Sequence, residues 1–132
     1  SAKSCNMRIS DYKGDSLTIE TVGSGDLTAV NLDITGKLTV QGTGSGDHEL
    51  KHITAGEMVI NKKGSGDGEY NDLNVGTLSV TSTGSGDATL SGKAESVTFS
   101  KTGSGDIDAS ELKAKNVSTL RNSGSGDITI NQ

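Results

Sequence analysis

Aromatic residues make up 2% of this 132-residue chain, two tyrosines and one phenylalanine with no tryptophan, and apolar residues in total only 30%. A globular core built from so little would be thin. Nowhere do about 18 apolar residues run together, so no helix of the kind that spans a bilayer is expected. The single cysteine, Cys5, has no partner for an internal disulfide, which leaves the redox compartment open. Lys3 and Ser4 ahead of it lack the Leu and small-residue pattern that precedes a lipidated cysteine, so a free thiol is the simpler reading. Charge is not concentrated either. The formal net charge is −5, with Lys and Arg scattered and not gathered in a stripe, which makes nucleic acid and anionic membrane poor partners.

What the chain does have is 19 glycines and a repeat. Gly-Ser-Gly-Asp begins at Gly23, Gly44, Gly64, Gly84, Gly103 and Gly124, at intervals of 21, 20, 20, 19 and 21 residues. A fixed period of this length denotes a solenoid, in which each repeat is one coil that buries its apolar face only against its neighbours. Abundant glycine and few aromatics also mark disorder. Here, however, Leu, Ile and Val recur at fixed distances from each motif, which a disordered chain has no reason to maintain.

Counted from the first Gly of each motif, Ala29, Leu50, Tyr70, Leu90, Ala109 and Ile130 stand six residues on, and Leu32, Ile53, Leu73 and Leu112 nine on. Later in each repeat come Leu38 with Val40, Met58 with Ile60, Leu78 with Val80, and Val97 with Phe99. One residue separates the members of each pair, which is the strand period. The fold expected is all-β: a parallel β-helix of about six and a half coils, with three short strands per coil. The variable coil length suits the right-handed form, which accommodates insertions at its turns.

The repeat predicts one domain over 1–132, with a degenerate first coil at 3–22, coils starting at 23, 44, 64, 84 and 103, and a partial coil at 124–132. In the first coil Lys3-Ser4-Cys5-Asn6 takes the place of a motif, with Cys5 at a glycine position and Asn6 at the Asp position. Behind it Ile9, Tyr12, Leu17 and Ile19 fall into the apolar columns. Three irregularities are expected: an extra residue before Leu38, a missing one near Gly92 and Lys93, and a bulge at Ser118 and Thr119, because Val117 and Leu120 are three apart.

The motif reads first as a corner. Two glycines in four residues suit a backbone that visits positive φ or passes too near its neighbour for a Cβ. Ser24 and Asp26, and their equivalents, can bond turn amides of their own corner. Stacked corners bring Gly23, Gly25, Gly44, Gly64, Gly84, Gly103 and Gly124 into register, and with them the carboxylates of Asp26, Asp47, Asp67, Asp87, Asp106 and Asp127. Unit charges one ladder step apart repel by about 1 kcal/mol in water. Solvation and local hydrogen bonds can offset that. A calcium ladder is the rival reading, and one carboxylate per coil is a sparse ligand set for it.

Catalytic constellations are nearly absent. His48 and His52 are four apart, but no helix is expected to bring them to one face, and they read as separate surface histidines with His52 pointing outward. No serine has a histidine at a recurring distance, so a nucleophilic triad has no support. The motifs leave no room for the long loops on which β-helices that cleave acidic polysaccharides carry their sites. Thr18, Thr39, Ser79 and Thr98 form an outward column that Val59 interrupts, which argues against an ice-binding rank. The chain is therefore expected not to be an enzyme and to need no cofactor or metal.

The run from Ser104 through Gly105-Asp106-Ile107-Asp108-Ala109-Ser110-Glu111-Leu112-Lys113 to Ala114, closed by Ser123-Gly124-Ser125-Gly126-Asp127-Ile128, resembles the repeats of the head GIN domain family of auto-transporter adhesins. The resemblance covers the chain from Lys3 onward. It implies a bacterial protein, secreted or at the cell surface, with a right-handed β-helix and no established enzymatic activity. Longer domains of the family carry a further segment before the regular coils, where this chain has the worn corner.

The sequence opens at Ser1 with neither a Met nor an apolar signal segment, which fits a processed secreted protein and equally a chain given without its targeting segment. No polar cap is evident at either terminus; caps belonging to a larger surface protein are the simpler reading, and end-to-end contact through Met7, Ile9, Ile128 and Ile130 in a homo-oligomer or filament is the other. The functional expectation is an extracellular or cell-surface scaffold or adhesin segment, with surface glycans or proteins as candidate partners. A self-assembling filament subunit and a polysaccharide-binding or polysaccharide-cleaving β-helix are the alternatives.

Overall fold

A computed structural model describes residues 2–3 and 6–131. Its regular elements are all strands: β1 (Ala2–Lys3), β2 (Met7–Val22), β3 (Leu27–Thr43), β4 (His48–Lys63), β5 (Gly68–Thr83), β6 (Ala88–Thr102), β7 (Ile107–Ser123) and β8 (Ile128–Asn131). They stack in chain order, and every neighbouring pair is parallel. Parallel order with only a four-residue gap between strands is the mark of a solenoid, because each strand is itself one coil and ends above its own start. There are about six turns.

The apolar columns lie inside. Ala29, Leu50, Tyr70, Leu90 and Ala109 are buried, as are Leu32, Ile53, Leu73 and Leu112 and the four pairs from Leu38 with Val40 to Val97 with Phe99. Strand alternation continues these columns both ways. It adds Leu27, Ala88 and Ile107 on one side and Ile34, Ala55, Val75 and Ala94 on the other. Full burial of each such Leu, Ile or Phe stabilises by roughly 1.5–3 kcal/mol before entropic costs. Tyr12 departs from its expected inward place: it is 37% exposed. Its ring folds over Gly14, where a Cβ would stand 2.9 Å from the Tyr12 hydroxyl.

The strand assignment runs through each coil and breaks only at the motif, so the turns expected between three short strands appear as local bends. One bend falls at Asp11, Asn31, His52 and Asp72, with φ of 55°, 60°, 55° and 54°, and at Gly92 with φ 126°. Asn, Asp and His tolerate this left-handed conformation better than other side chains. The extra residue before Leu38 lies at Thr35 and Gly36, which together face Gly56 between the pairs Ile34–Ala55 and Lys37–Glu57. The missing residue falls just before Gly92, which pairs with Leu73. Ser118 is the extra residue of the third irregularity, since Val97 pairs with Val117 and Thr98 with Thr119. The side chain of Leu120, expected to point inward there, is not among those described.

At the corner both glycines lie against the carbonyl of the coil beneath, and the first has a conformational role as well. The first holds a positive φ, 116° at Gly44, Gly64 and Gly84. The second is pressed against the coil beneath: a Cβ at Gly46, Gly66, Gly86 or Gly105 would overlap the carbonyl oxygen of the preceding coil's equivalent glycine. Ser65, between two such glycines, is exposed. Gly66→Ala should therefore lower the stability read from urea denaturation by at least about 2 kcal/mol, and Ser65→Ala by less than about 0.5 kcal/mol. Equal effects would remove the close approach as the reason for the glycine.

Candidate functional site

The corner residues singled out in the sequence form one column, and what links them is a side-chain bond from coil to coil. The Asp47 backbone N–H donates to Asp26 Oδ1 at 3.0 Å, Asp67 N–H to Asp47 Oδ1 at 2.9 Å, and Asp87 N–H to Asp67 Oδ1 at 3.0 Å. Asp106 and Asp127 continue the series, each at 2.8 Å. Asn6 begins it, its Oδ1 accepting from Asp26 N–H at 2.9 Å. The expected partner was an amide or hydroxyl of the same corner. The structure gives the amide of the following corner instead, because the break in the strand leaves that N–H without a carbonyl beneath it.

A second bond runs the other way. The residue after each Asp donates its N–H to the next Asp carbonyl, as Leu27 does to Asp47 and His48 to Asp67, both at 2.8 Å. Each step of the column thus carries two hydrogen bonds, and the carboxylate substitutes for a ladder carbonyl where the strand is interrupted. One oxygen of each carboxylate from Asp26 to Asp106 is committed in this way. Among the described residues no group of three or more His, Cys, Asp or Glu side chains gathers as a metal site would require. Cys5 lies outside the described residues. Met7 and Ile9 on β2, and Ile128 and Ile130 on β8, are half-buried at opposite ends of the stack, so a single chain does not bring them together.

Beneath the corners lies a polar strip that residue type alone did not reveal. Thr21, Lys62, Ser82 and Lys101 are buried, in register with one another and with Gly42. The signal was in the alternation: Met58 and Ile60 point inward, so Lys62 must too. His48, expected at the surface, is 3% exposed for the same reason, two residues before Leu50. Its Nε2 pairs with Thr21 Oγ1 at 3.2 Å and its Nδ1 with the Tyr70 hydroxyl at 3.3 Å. Gly42 and Gly68 make room for the two rings, since a Cβ at Gly42 would overlap the imidazole and one at Gly68 would stand 2.6 Å from the Tyr70 hydroxyl. His52 is exposed as expected, 3.4 Å from Asp72.

The two buried lysines differ. Lys101 Nζ donates to the Gly103 carbonyl at 2.9 Å and to Asn122 Oδ1 at 3.4 Å. Lys62 Nζ is buried with no hydrogen-bond partner among the described residues. Burial pushes the Lys62 amine below its usual range, against the pull of Asp67, Asp47 and Asp87 in the corner column. Burial likewise holds the His48 imidazole below 6.5, helped by the Lys62 charge and opposed by Asp47 and Asp26. Burial raises the Tyr70 phenol. The strip is an interior polar seam that runs beneath the corners.

Two outcomes follow. Asp67→Ala should cost about 1–2 kcal/mol in denaturation experiments because it strands the Asp87 N–H, whereas Asp67→Asn should be near neutral, as Asn6 already serves in that role. For His48, the unfolded chain binds a proton near pH 6.5 that the folded chain resists. Its stability contribution is therefore whole above that pH and is lost as pH falls below it, by up to about 1.4 kcal/mol per pH unit. Thermal midpoints should drop across this window in the parent and stay flatter in His48→Gln. Identical profiles would exclude His48 as the source.

No curated protein and no solved structure matches the sequence significantly. One family does, described as "Putative auto-transporter adhesin, head GIN domain", and it covers residues 34–132. That range takes in five of the six corners, from Gly44 to Asp127 in full repeats, together with the buried columns above them. The chain, a parallel β-solenoid cornered on Gly-Ser-Gly-Asp, belongs to the head GIN domain family of auto-transporter adhesins.

Proposed function

We propose that this chain is a non-enzymatic segment of a bacterial cell-surface adhesin, a rigid rod that carries binding surfaces on its outer faces. Membership of an adhesin family is the observation that supports it most directly. The geometry is consistent with it. The interior is filled by side chains of the chain itself, and the polar groups inside serve the corners. No helix among the described residues is long and apolar enough to cross a membrane. Function therefore falls to the outward columns, where successive coils repeat a side-chain position about every 4.8 Å. Such a surface suits a repetitive ligand such as a surface glycan.

The purified chain, coupled to beads, should adhere to cells or to members of a glycan array above the level of an unrelated β-solenoid. Long fibres in electron micrographs with no adhesion would favour a structural, self-assembling role. Turnover of an acidic polysaccharide would overturn the non-enzymatic reading.

A further inference from the structure

One outer face departs from the others in shape and in charge. The column Ile34, Ala55, Val75, Ala94 and Ala114 is in register across five coils. Its first four members are buried and Ala114 half-buried, and three of the five are alanine. These side chains pack toward the core, so the surface over them stays low between the exposed side chains on either side. Gly56 and Gly76 lower one wall further, because the carbonyl of the coil beneath each leaves no space for a Cβ, 2.9 Å at Gly56 and 2.7 Å at Gly76. The result is a groove along the rod. It consists of a hollow of about 420 Å³ between Asp33 and Glu95 and one of about 360 Å³ that reaches Lys115, with Asn74, Val75 and Glu95 common to both. Four ladder steps give it a length of roughly 20 Å.

Lys93, Lys113 and Lys115 line the second hollow, with Glu95 as its one carboxylate. Lys93 and Lys113 stand in register on adjacent coils. The ion pairs found among the described residues involve Lys37, Lys51 and His52, and none of these three lysines. In a chain of net charge −5, a run of three unpaired ammonium groups beside a low apolar floor is a local reversal of sign. It calls for an anionic occupant.

We propose that this groove binds a linear acidic polysaccharide, with anionic groups over Lys93, Lys113 and Lys115 and the sugar backbone along Val75 and Ala94. The proposal rests on the adhesin reading and gives it a ligand class. An extended peptide is disfavoured because the groove crosses the strands, whose amides and carbonyls are already paired from coil to coil, so it offers no edge for strand addition. The floor also lacks the deep aromatic or aliphatic pocket that anchors a protein partner. Single-stranded nucleic acid would need stacking platforms, which the lining does not contain. A polyanionic glycan needs neither, and its regularly repeated charges suit lysines set by the coil spacing.

The test compares the whole chain with K93Q/K113Q/K115Q and with K37Q/K51Q/K63Q, which removes the same charge from other places. Each is titrated with polygalacturonate, hyaluronate, dextran and polyglutamate at two salt concentrations, alongside the bead adhesion assay. The parent and the control variant should bind polygalacturonate or hyaluronate, less tightly at higher salt, and dextran and polyglutamate weakly. The groove variant should lose about tenfold or more in affinity. Equal losses in both variants, no binding of either acidic glycan, or preference for polyglutamate would overturn the groove assignment. If adhesion persists in the groove variant, the groove assignment falls and the adhesin reading stands. If the parent binds acidic glycan through these lysines yet adheres to no surface, the groove stands and the adhesin reading falls.

Discussion

Two coils can lie one ladder step apart at a corner only if nothing projects from the backbone between them. At Gly-Ser-Gly-Asp that condition is met by both glycines, whose missing side chains let them rest on the carbonyls of the coil below. The turn also interrupts the strand, and the amide of each motif Asp then has no ladder carbonyl to meet. The carboxylate of the previous coil's Asp takes that place. The stacking of like charges on one edge is thus a by-product of repairing a backbone hydrogen bond, and the bond offsets the repulsion it creates.

The same constraint shapes the inside of the corner. With no Cβ at Gly86 or Gly126, space opens beneath the turn, and the ends of Lys62 and Lys101 occupy it. Polar side chains there face backbone carbonyls and not the apolar columns, as Lys101 does with Gly103. His48 and Tyr70 join the seam where Gly42 and Gly68 give way. The interior is therefore divided into an apolar body and a polar margin along the corner. The buried titratable groups His48, Lys62, Tyr70 and Lys101 all lie in or against the margin.

The apolar columns were legible because two periods, the strand's two and the coil's twenty, act on the same residues. Leu50, Ile53, Met58 and Ile60 satisfy both, and the structure buries all four. His48 and Lys62 satisfy both as well, yet their chemistry suggested the surface. There alternation outranked residue type, because a strand cannot turn one side chain outward without shifting its neighbours. The partner of each Asp was not legible, since a side chain's reach to an amide about 20 residues away depends on corner geometry and not on spacing. The left-handed bend was written in the column Asp11, Asn31, His52, Asp72, a set of side chains with little in common except tolerance of that conformation. The groove was hidden for a plainer reason: Ala55, Ala94 and Ala114 carry no chemistry, and the low strip over them exists only once the coils are stacked.

Every ladder bond in the stack points along the rod, from one coil to the next. A pull along that axis loads the interfaces in series, so the weakest one yields while the others hold. A coil that detaches releases about 20 residues, or roughly 70 Å of extended chain, from a rod that it lengthened by only about 5 Å. A rod with this connectivity dissipates tension by releasing chain one coil at a time, and each coil can re-form on the corner still standing below it.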